Sequence, residues 1–273
     1  MKISDYRLSG EQVNYKESPN RSGRFAAGSA DSIVVHFTGG ASAQSSVNHL
    51  LNPAAKASAH LVVGRDGAVT QLVPFDTVAW HAGRSSFRGR SGFNQYSIGI
   101  EIDNAGRLSR SGDAFVSWFG RSYPADEVIE AVHRNEREPA FWHRYSEQQI
   151  ERVEALCALL IETYDIDMIV GHEEIAPQRK TDPGPAFPLD QLRERTLVRD
   201  RGVDEDDASS EPHLSKVGLV SADKLNIRAT PGGATVAPPL TKGTLVNVIQ
   251  EKDGWYEVEV TTKGWVSGQY VKT

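Results

Sequence analysis

Sulfur is scarce in this chain: 273 residues contain one cysteine and two methionines. A single thiol, Cys157, excludes an internal disulfide framework and any multi-thiolate zinc site. It falls in the apolar stripe of an expected helix and reads as buried filler. No run approaches the ~20 apolar residues of a membrane-spanning helix. The opening MKISDYRLSGEQVNYKESPN has no apolar h-region, so the expectation is a chain made in the cytoplasm without a Sec signal. Positive charge is not in excess either. Thirty Lys and Arg against 36 Asp and Glu leave a net charge of −6, which argues against a nucleic-acid partner. An H-E-x-x-H helix is also missing, and with it the usual mark of a zinc peptidase.

What is present suits a soluble globular protein with one full-sized domain and a smaller one. Residues 1–30 read as an irregular lead-in. Ser32–Phe37 is short, β-branched and followed by Gly39-Gly40, the pattern of a buried strand that ends at His36. A short helix is expected over Ala43–Asn52. Strands are expected over Ala59–Val63 and Val69–Val73, around the Arg65-Asp66-Gly67 turn. Arg84–Asn94 is rich in Gly, Ser and Arg and reads as an exposed loop, and Ser97–Ile102 as a strand carrying Glu101. Within the weakly periodic stretch Ala105–His143 a helix is expected around Pro124–Arg134.

Ser146–Tyr164 is the clearest helix. Ser146 and Gln149 have capping-box spacing, and Ile150, Val153, Leu156, Cys157, Leu160 and Ile161 form one stripe. Ile166–Val170 then returns as a strand that delivers His172. Strands interleaved with helices indicate an α/β fold, a mixed central β-sheet flanked by helices, over residues 1–200. The run Asp204-Glu205-Asp206-Asp207 makes residues 201–213 an acidic, solvated linker. Residues 214–273 show short alternating strands between glycine turns, as in a small all-β barrel.

The chemistry concentrates in Gly171–Pro185, GHEEIAPQRKTDPGP, which sets His172, Lys180 and Asp182 among the rigid turns of Pro177, Pro183 and Pro185. With His36 from the upstream strand, two histidines and a carboxylate make a three-ligand set for a hydrolytic zinc, the fourth position left to water. The chain has eight histidines, and each taken singly reads equally well as an ordinary hydrogen-bonding residue.

Order and pattern choose among them. His36-Phe37-Thr38, Ser58-Ala59-His60, the Arg65-Asp66-Gly67 turn, Ala79-Trp80-His81-Ala82-Gly83, Ser97-Ile98-Gly99-Ile100-Glu101, and Gly171-His172 followed by Arg179–Pro185 occur in that sequence. Together they resemble the zinc-dependent N-acetylmuramoyl-L-alanine amidase family, especially its AmpD-like branch, over roughly residues 30–192. The resemblance implies the amidase/peptidoglycan-recognition fold and a Zn2+ ion held by His36, His172 and Asp182. It implies Glu101 as the general base that carries a proton from water to the leaving amine, and Lys180 as the cation that stabilises the oxyanion. Trp80, His81, Arg84 and Asn94 fall where the family lines its substrate groove; Asp103 and His60 read as structural. Gly92 stands about where AmpD-like enzymes carry an arginine, so intact wall and free muropeptide both stay open as substrates.

Leu225-Asn226-Ile227-Arg228-Ala229-Thr230-Pro231, Gly243, Gly254-Trp255-Tyr256-Glu257-Val258 and Gly264-Trp265-Val266 resemble bacterial SH3 domains, which implies a module that binds cell-wall peptide. Peptidoglycan or muropeptides are the implied partners. A signal-less chain that acts on the wall, in the periplasm or on a target cell, implies a dedicated secretion or injection system. A cytosolic muropeptide-recycling amidase and a non-catalytic peptidoglycan-recognition protein are the alternatives.

Overall fold

A computed structural model describes residues 1–197, 216–220, 222, 224–230, 232–241, 243–252 and 255–260. The chain divides into two compact units, Met1–Arg199 and Asp200–Thr273.

A six-stranded mixed sheet organises the first unit. Its strand order is Met168–Gly171, Ser32–Phe37, Ser97–Ile102, Leu61–Val63, Val69–Gln71 and Val13–Tyr15. The first four run parallel to their neighbours, and Leu61–Val63 turns back antiparallel onto Val69–Gln71. Ser32–Phe37 and Ser97–Ile102 are buried on both faces, which explains why they read as continuous apolar runs rather than alternating ones. Ile33, Val35, Ile98, Ile100 and Ile102 share a core with Val153, Leu156, Cys157, Leu160 and Ile161 of the helix Glu147–Tyr164. Side chains alternate along a strand. Val34 therefore faces the other way, onto Ala82, Phe93, Val170 and Ile175, and His36 shares its side.

The helix Glu147–Tyr164 starts on the expected capping box. Ser146 Oγ accepts from the Gln149 amide at 3.2 Å, and Gln149 Oε1 accepts from the Ser146 amide at 3.1 Å. Gln149 Nε2 also donates to the Asp103 carbonyl at 2.7 Å, which ties the helix to the end of the Glu101 strand. The helix Ala43–Leu51 is capped in the same way by Ser42.

Two expectations are corrected. Residues 1–30 are ordered: Lys2–Ser4 pairs with Arg7–Ser9, Val13–Tyr15 closes the sheet edge, and Arg21–Arg24 pairs with Thr77–Ala79. Buried Gln71 stitches this segment down, accepting from the Leu8 amide at 2.7 Å and donating to the Tyr6 carbonyl at 3.0 Å. The helix expected around Pro124–Arg134 is instead one 3-10 turn, Ala125–Glu127, followed by the strand Val128–Val132. That strand pairs along its whole length with Pro139–His143, and the cross-strand ladder overrides the weak helical signal. The two belong to a five-stranded antiparallel sheet with Arg107–Ser111, Ala114–Val116 and Ser122–Tyr123. Its outer turn is strapped to the loop after the His36 strand: Trp118 Nε1 donates to the Gly39 carbonyl at 2.7 Å and Arg121 Nη1 to the Ala41 carbonyl at 3.3 Å.

In the second unit, Lys216–Leu219, Leu245–Lys252 and Trp255–Glu259 form an antiparallel sheet, and Lys224–Arg228 pairs with Thr235–Thr241. Val220, Val246 and Val248 form its buried core, with Leu240, Val258 and Val260 packed against them. Trp255 and Tyr256 are exposed. The acidic run 201–213 and the Gly264-Trp265-Val266 element lie outside the described residues. Among the described residues no helix is long and apolar enough to cross a membrane.

Candidate metal centre

Sheet order assembles the centre. His36 lies directly opposite Glu101 in the parallel register of their strands, and Gly171 opposite Val35 brings His172 to the same strand ends. Side chains from three adjacent strands thus converge at the carboxyl edge of the sheet, the usual site position in parallel α/β folds. Asp182 returns ten positions after His172, held by the Glu173 amide, which donates to the Asp182 carbonyl at 2.8 Å. Gly171 permits that return: a Cβ there would lie 2.8 Å from Pro183 Cδ.

Three buried atoms meet at the centre. His36 Nδ1 lies 2.8 Å from His172 Nδ1 and 2.9 Å from Asp182 Oδ2, and His172 Nδ1 lies 3.0 Å from the same oxygen. The surrounding hydrogen bonds assign the ring protons. Ser97 Oγ donates to the Phe93 carbonyl at 2.6 Å, so around His81 Nε2 both Ser97 oxygens are acceptors, at 3.2 Å and 3.3 Å. His81 Nε2 therefore carries the proton, and its Nδ1 accepts from His36 Nε2–H at 3.0 Å. His172 Nε2–H donates to the Ala82 carbonyl at 3.1 Å. In the tautomers that make these two bonds, both Nδ1 atoms face each other and a carboxylate oxygen as acceptors. Three acceptors in contact with no donor between them repel one another unless a cation sits among them, and imidazole with carboxylate is the donor set of a divalent metal such as zinc. Burial, with His172 beside it, pushes the His36 pKa down to about 4, so the imidazole is neutral and ready to bind a metal.

Glu101 stands beside this triangle. Its Oε2 is shut off from solvent and has no hydrogen-bond partner among the described residues. Burial raises its pKa well above the ordinary carboxylate value, the nearby Asp182 charge adds to this, and Lys180 opposes it. Lys180 is half-buried, and its charge also lowers the His36 pKa.

The other expected groove residues divide. His81 is buried with both ring nitrogens engaged, and its ring packs on Gly99, where a Cβ would come within 2.4 Å of its Cγ. Its Nδ1 supports His36 Nε2 at 3.0 Å. Asn94 is also a support: its Oδ1 accepts from the His81 and Ala82 amides at 3.1 Å and 2.7 Å, fixing the carbonyl that orients His172. Arg84 projects outward, and its carbonyl accepts from Arg179 Nη2 at 2.9 Å. Trp80 is half-buried, with Nε1 donating to Ser22 Oγ at 2.8 Å. His60 is wholly buried, donating from Nε2 to the Thr77 carbonyl and accepting at Nδ1 from the Gly99 amide.

Sequence pattern gives no role to Ser97 or Ala82, which fall inside its motifs, or to the pair His133–Glu173. His133 Nε2 and Glu173 Oε2 are 2.6 Å apart, and Arg134 Nε reaches Glu173 Oε1 at 2.9 Å. These contacts clamp the five-stranded sheet onto the residue next to His172. Only the adjacency of Glu173 to His172 hinted at them.

Two imidazoles and a carboxylate gathered at strand ends, with Glu101 Oε2 unpartnered beside them, make a group that could hold a metal ion. The family profile for N-acetylmuramoyl-L-alanine amidase matches residues 26–185, and the chain belongs to that family. The bacterial SH3 domain profile matches residues 223–272. The 1,6-anhydro-N-acetylmuramyl-L-alanine amidase AmpD of Escherichia coli strain K12 is 37% identical over 145 residues, 52% of this chain and 59% of that protein. The N-acetylmuramoyl-L-alanine amidase AmiD of the same organism is 36% identical over 131 residues, 47% of this chain and 38% of that protein. The chain thus spans less than two thirds of the length of these curated relatives. A crystal structure of a selenomethionine AmpD derivative superposes with a TM-score of 0.50 at 27% identity, covering 72% of this chain and 99% of that one.

Proposed function

We propose that the chain is a zinc-dependent amidase that cleaves the amide between the lactyl group of N-acetylmuramic acid and the L-alanine of the stem peptide. The observation that carries this reading is the all-acceptor triangle of His36, His172 and Asp182 beside the unpartnered Glu101. The three triangle residues would hold the ion through Nδ1, Nδ1 and Oδ2. When bound, zinc supplies a Lewis acid that polarises a carbonyl and makes water nucleophilic near neutral pH.

The chain's own groups supply the rest. Glu101 takes a proton from the attacking water and passes it to the departing amine of L-alanine; its raised pKa suits a group that must both accept and give. Lys180 places positive charge where the carbonyl oxygen becomes negative. The C–N bond breaks, leaving a muramyl carboxylic acid and a free peptide amine. All three ligand positions, Glu101 and Lys180 are occupied, which favours turnover over a purely recognising protein.

The layout we propose is a catalytic domain over 1–200, a linker over 201–213 and a wall-binding module over 214–273. The exposed Trp255 and Tyr256 support the last, since they offer aromatic surface to a ligand. The names of the AmpD relatives support a soluble anhydro-muropeptide as a substrate, and the SH3 match supports the polymeric wall. Mass spectrometry of purified sacculi and of an anhydro-muropeptide, each incubated with the protein with and without a chelator, tests the proposal. Free peptides beginning in L-Ala, absent under chelation, are the expected result, and the substrate that releases them identifies the preferred form. Neither substrate cut in the presence of zinc would overturn the enzymatic reading.

A further inference from the structure

A cavity of about 150 Å3 lies where the five-stranded sheet meets the carboxyl edge of the central sheet. Gly40 and Ala41 line it just past the His36 strand, and Asp103, Asn104 and Ala105 just past the Glu101 strand. Arg65, Arg121, Tyr123, Glu127 and His143 complete the wall.

His143 decides what the cavity can take. The Ala105 amide donates to its Nδ1 at 3.2 Å, so the ring proton sits on Nε2. That Nε2–H is buried and has no hydrogen-bond partner among the described residues; Glu127 Oε2, at 3.5 Å, is beyond a good N–H···O distance. Burial and the two arginines hold the His143 pKa down to about 3, which keeps the ring neutral and this tautomer in place. A buried donor without an acceptor costs stability, and such groups mark where an unseen acceptor belongs.

The charged lining also favours an acceptor. Arg121 commits one nitrogen to the Ala41 carbonyl, and Arg65 commits Nη1 to the Arg144 carbonyl and Gln149 Oε1. Both guanidiniums keep further N–H groups. Of the two carboxylates, Asp103 is already held by the Ala43 amide and Thr38, and the Glu127 side chain is 47% exposed. The buried His143 Nε2–H and the remaining guanidinium N–H groups are thus the donors left to a ligand.

We infer that this cavity is an anion subsite that binds a carboxylate, with His143 Nε2–H, Arg121 and Arg65 as donors. A planar two-oxygen acceptor matches a guanidinium fork, and its second oxygen reaches the imidazole N–H. The carboxylate comes either from a stem peptide held at the neighbouring centre, which rests on the amidase reading, or from a free small acid.

The test follows the His143 Nε2–H resonance in the full, zinc-loaded chain labelled with 15N-histidine, the signal assigned by its loss in His143→Gln. Three probes are titrated: the tripeptide L-Ala-D-γ-Glu-L-Lys, the same peptide with its carboxylates amidated, and acetate. A saturable shift with the tripeptide and none with the amide assigns the site to a peptide carboxylate. A shift with acetate but not with the tripeptide supports the subsite and assigns it to a free anion. Equal shifts with tripeptide and amide, or no shift with any probe, would overturn the inference. Arg121→Gln should weaken the responding probe about tenfold, the worth of one charge-assisted hydrogen bond; unchanged affinity in that variant counts against the subsite. The resonance does not depend on turnover, so an inactive chain that still responds refutes the amidase reading and leaves this one standing.

Discussion

Replacing His81 by phenylalanine keeps a ring of similar size over Gly99 and removes both nitrogens from the relay between Ser97 and His36. His36 Nε2–H, buried and now without its acceptor at 3.0 Å, loses about 1–3 kcal/mol of satisfaction. Its proton is then free to move to Nδ1, the atom that faces His172 and Asp182. Outer-shell partners of metal-bound histidine typically contribute 10–100-fold in affinity, about 1.4–2.8 kcal/mol. We therefore expect His81→Phe to weaken zinc binding by 10–100-fold in a competition titration against a chromophoric chelator. His81→Gln, whose Oε1 can still accept from His36, should recover part of that loss. Denaturant unfolding of the metal-free proteins separates a fold defect from a tautomer defect, because the glutamine rescue should appear in metal affinity more than in unfolding. Zinc affinity of His81→Phe within twofold of the parent would refute the relay.

Glu101→Gln should cut turnover by about 10²–10⁴ and leave zinc binding intact, measured by peptide release and by chelator competition. Because folding raises the Glu101 pKa, its ionisation opposes the folded state as pH climbs past the ordinary carboxylate value. The metal-free Gln variant should thus melt higher than the parent at pH 7 and no higher at pH 4, where both side chains are neutral. Lys180→Met should lower kcat by about 10²–10³ with little change in KM; an effect confined to KM would assign Lys180 to binding instead. His60 and His36 are each held down to about 4 by burial, while the unfolded chain protonates near 6.5. Their stabilisation is present above pH 6.5 and is lost as pH falls toward 4, so the unfolding free energy of the metal-free chain should drop steeply across that window, by about 3 kcal/mol for His60 alone. A flat profile there would contradict neutral burial.

The strand-ending His36, the Ser97–Glu101 run and the His172–Asp182 loop were legible because each combines a local structural signal with a chemical one. Their convergence was not: the register that sets His36 opposite Glu101 is a pairing between segments 65 positions apart, and nothing local encodes it. His81 shows the same limit. By resemblance it falls where the family lines its groove, and only Gly99 on another strand reveals the space that admits its ring. Around Pro124–Arg134 the reading failed for a different reason. Pro124 with Asp126 and Glu127 looks like a helix start, yet the turn those residues make lasts three residues before pairing with Pro139–His143 takes over. The lead-in reads as irregular because its anchor, Gln71, lies far along the chain.

The donors of the centre reach it from two places in the chain, His36 and, 136 residues later, His172 with Asp182 ten beyond that. An unfolded chain can present an ion with only the second pair. Nearly all of the binding energy is therefore credited to the native state, and each tenfold excess of free ion over its dissociation constant adds about 1.4 kcal/mol to it. A bound ion would act as a removable cross-link between an early strand and the last strand of the central sheet.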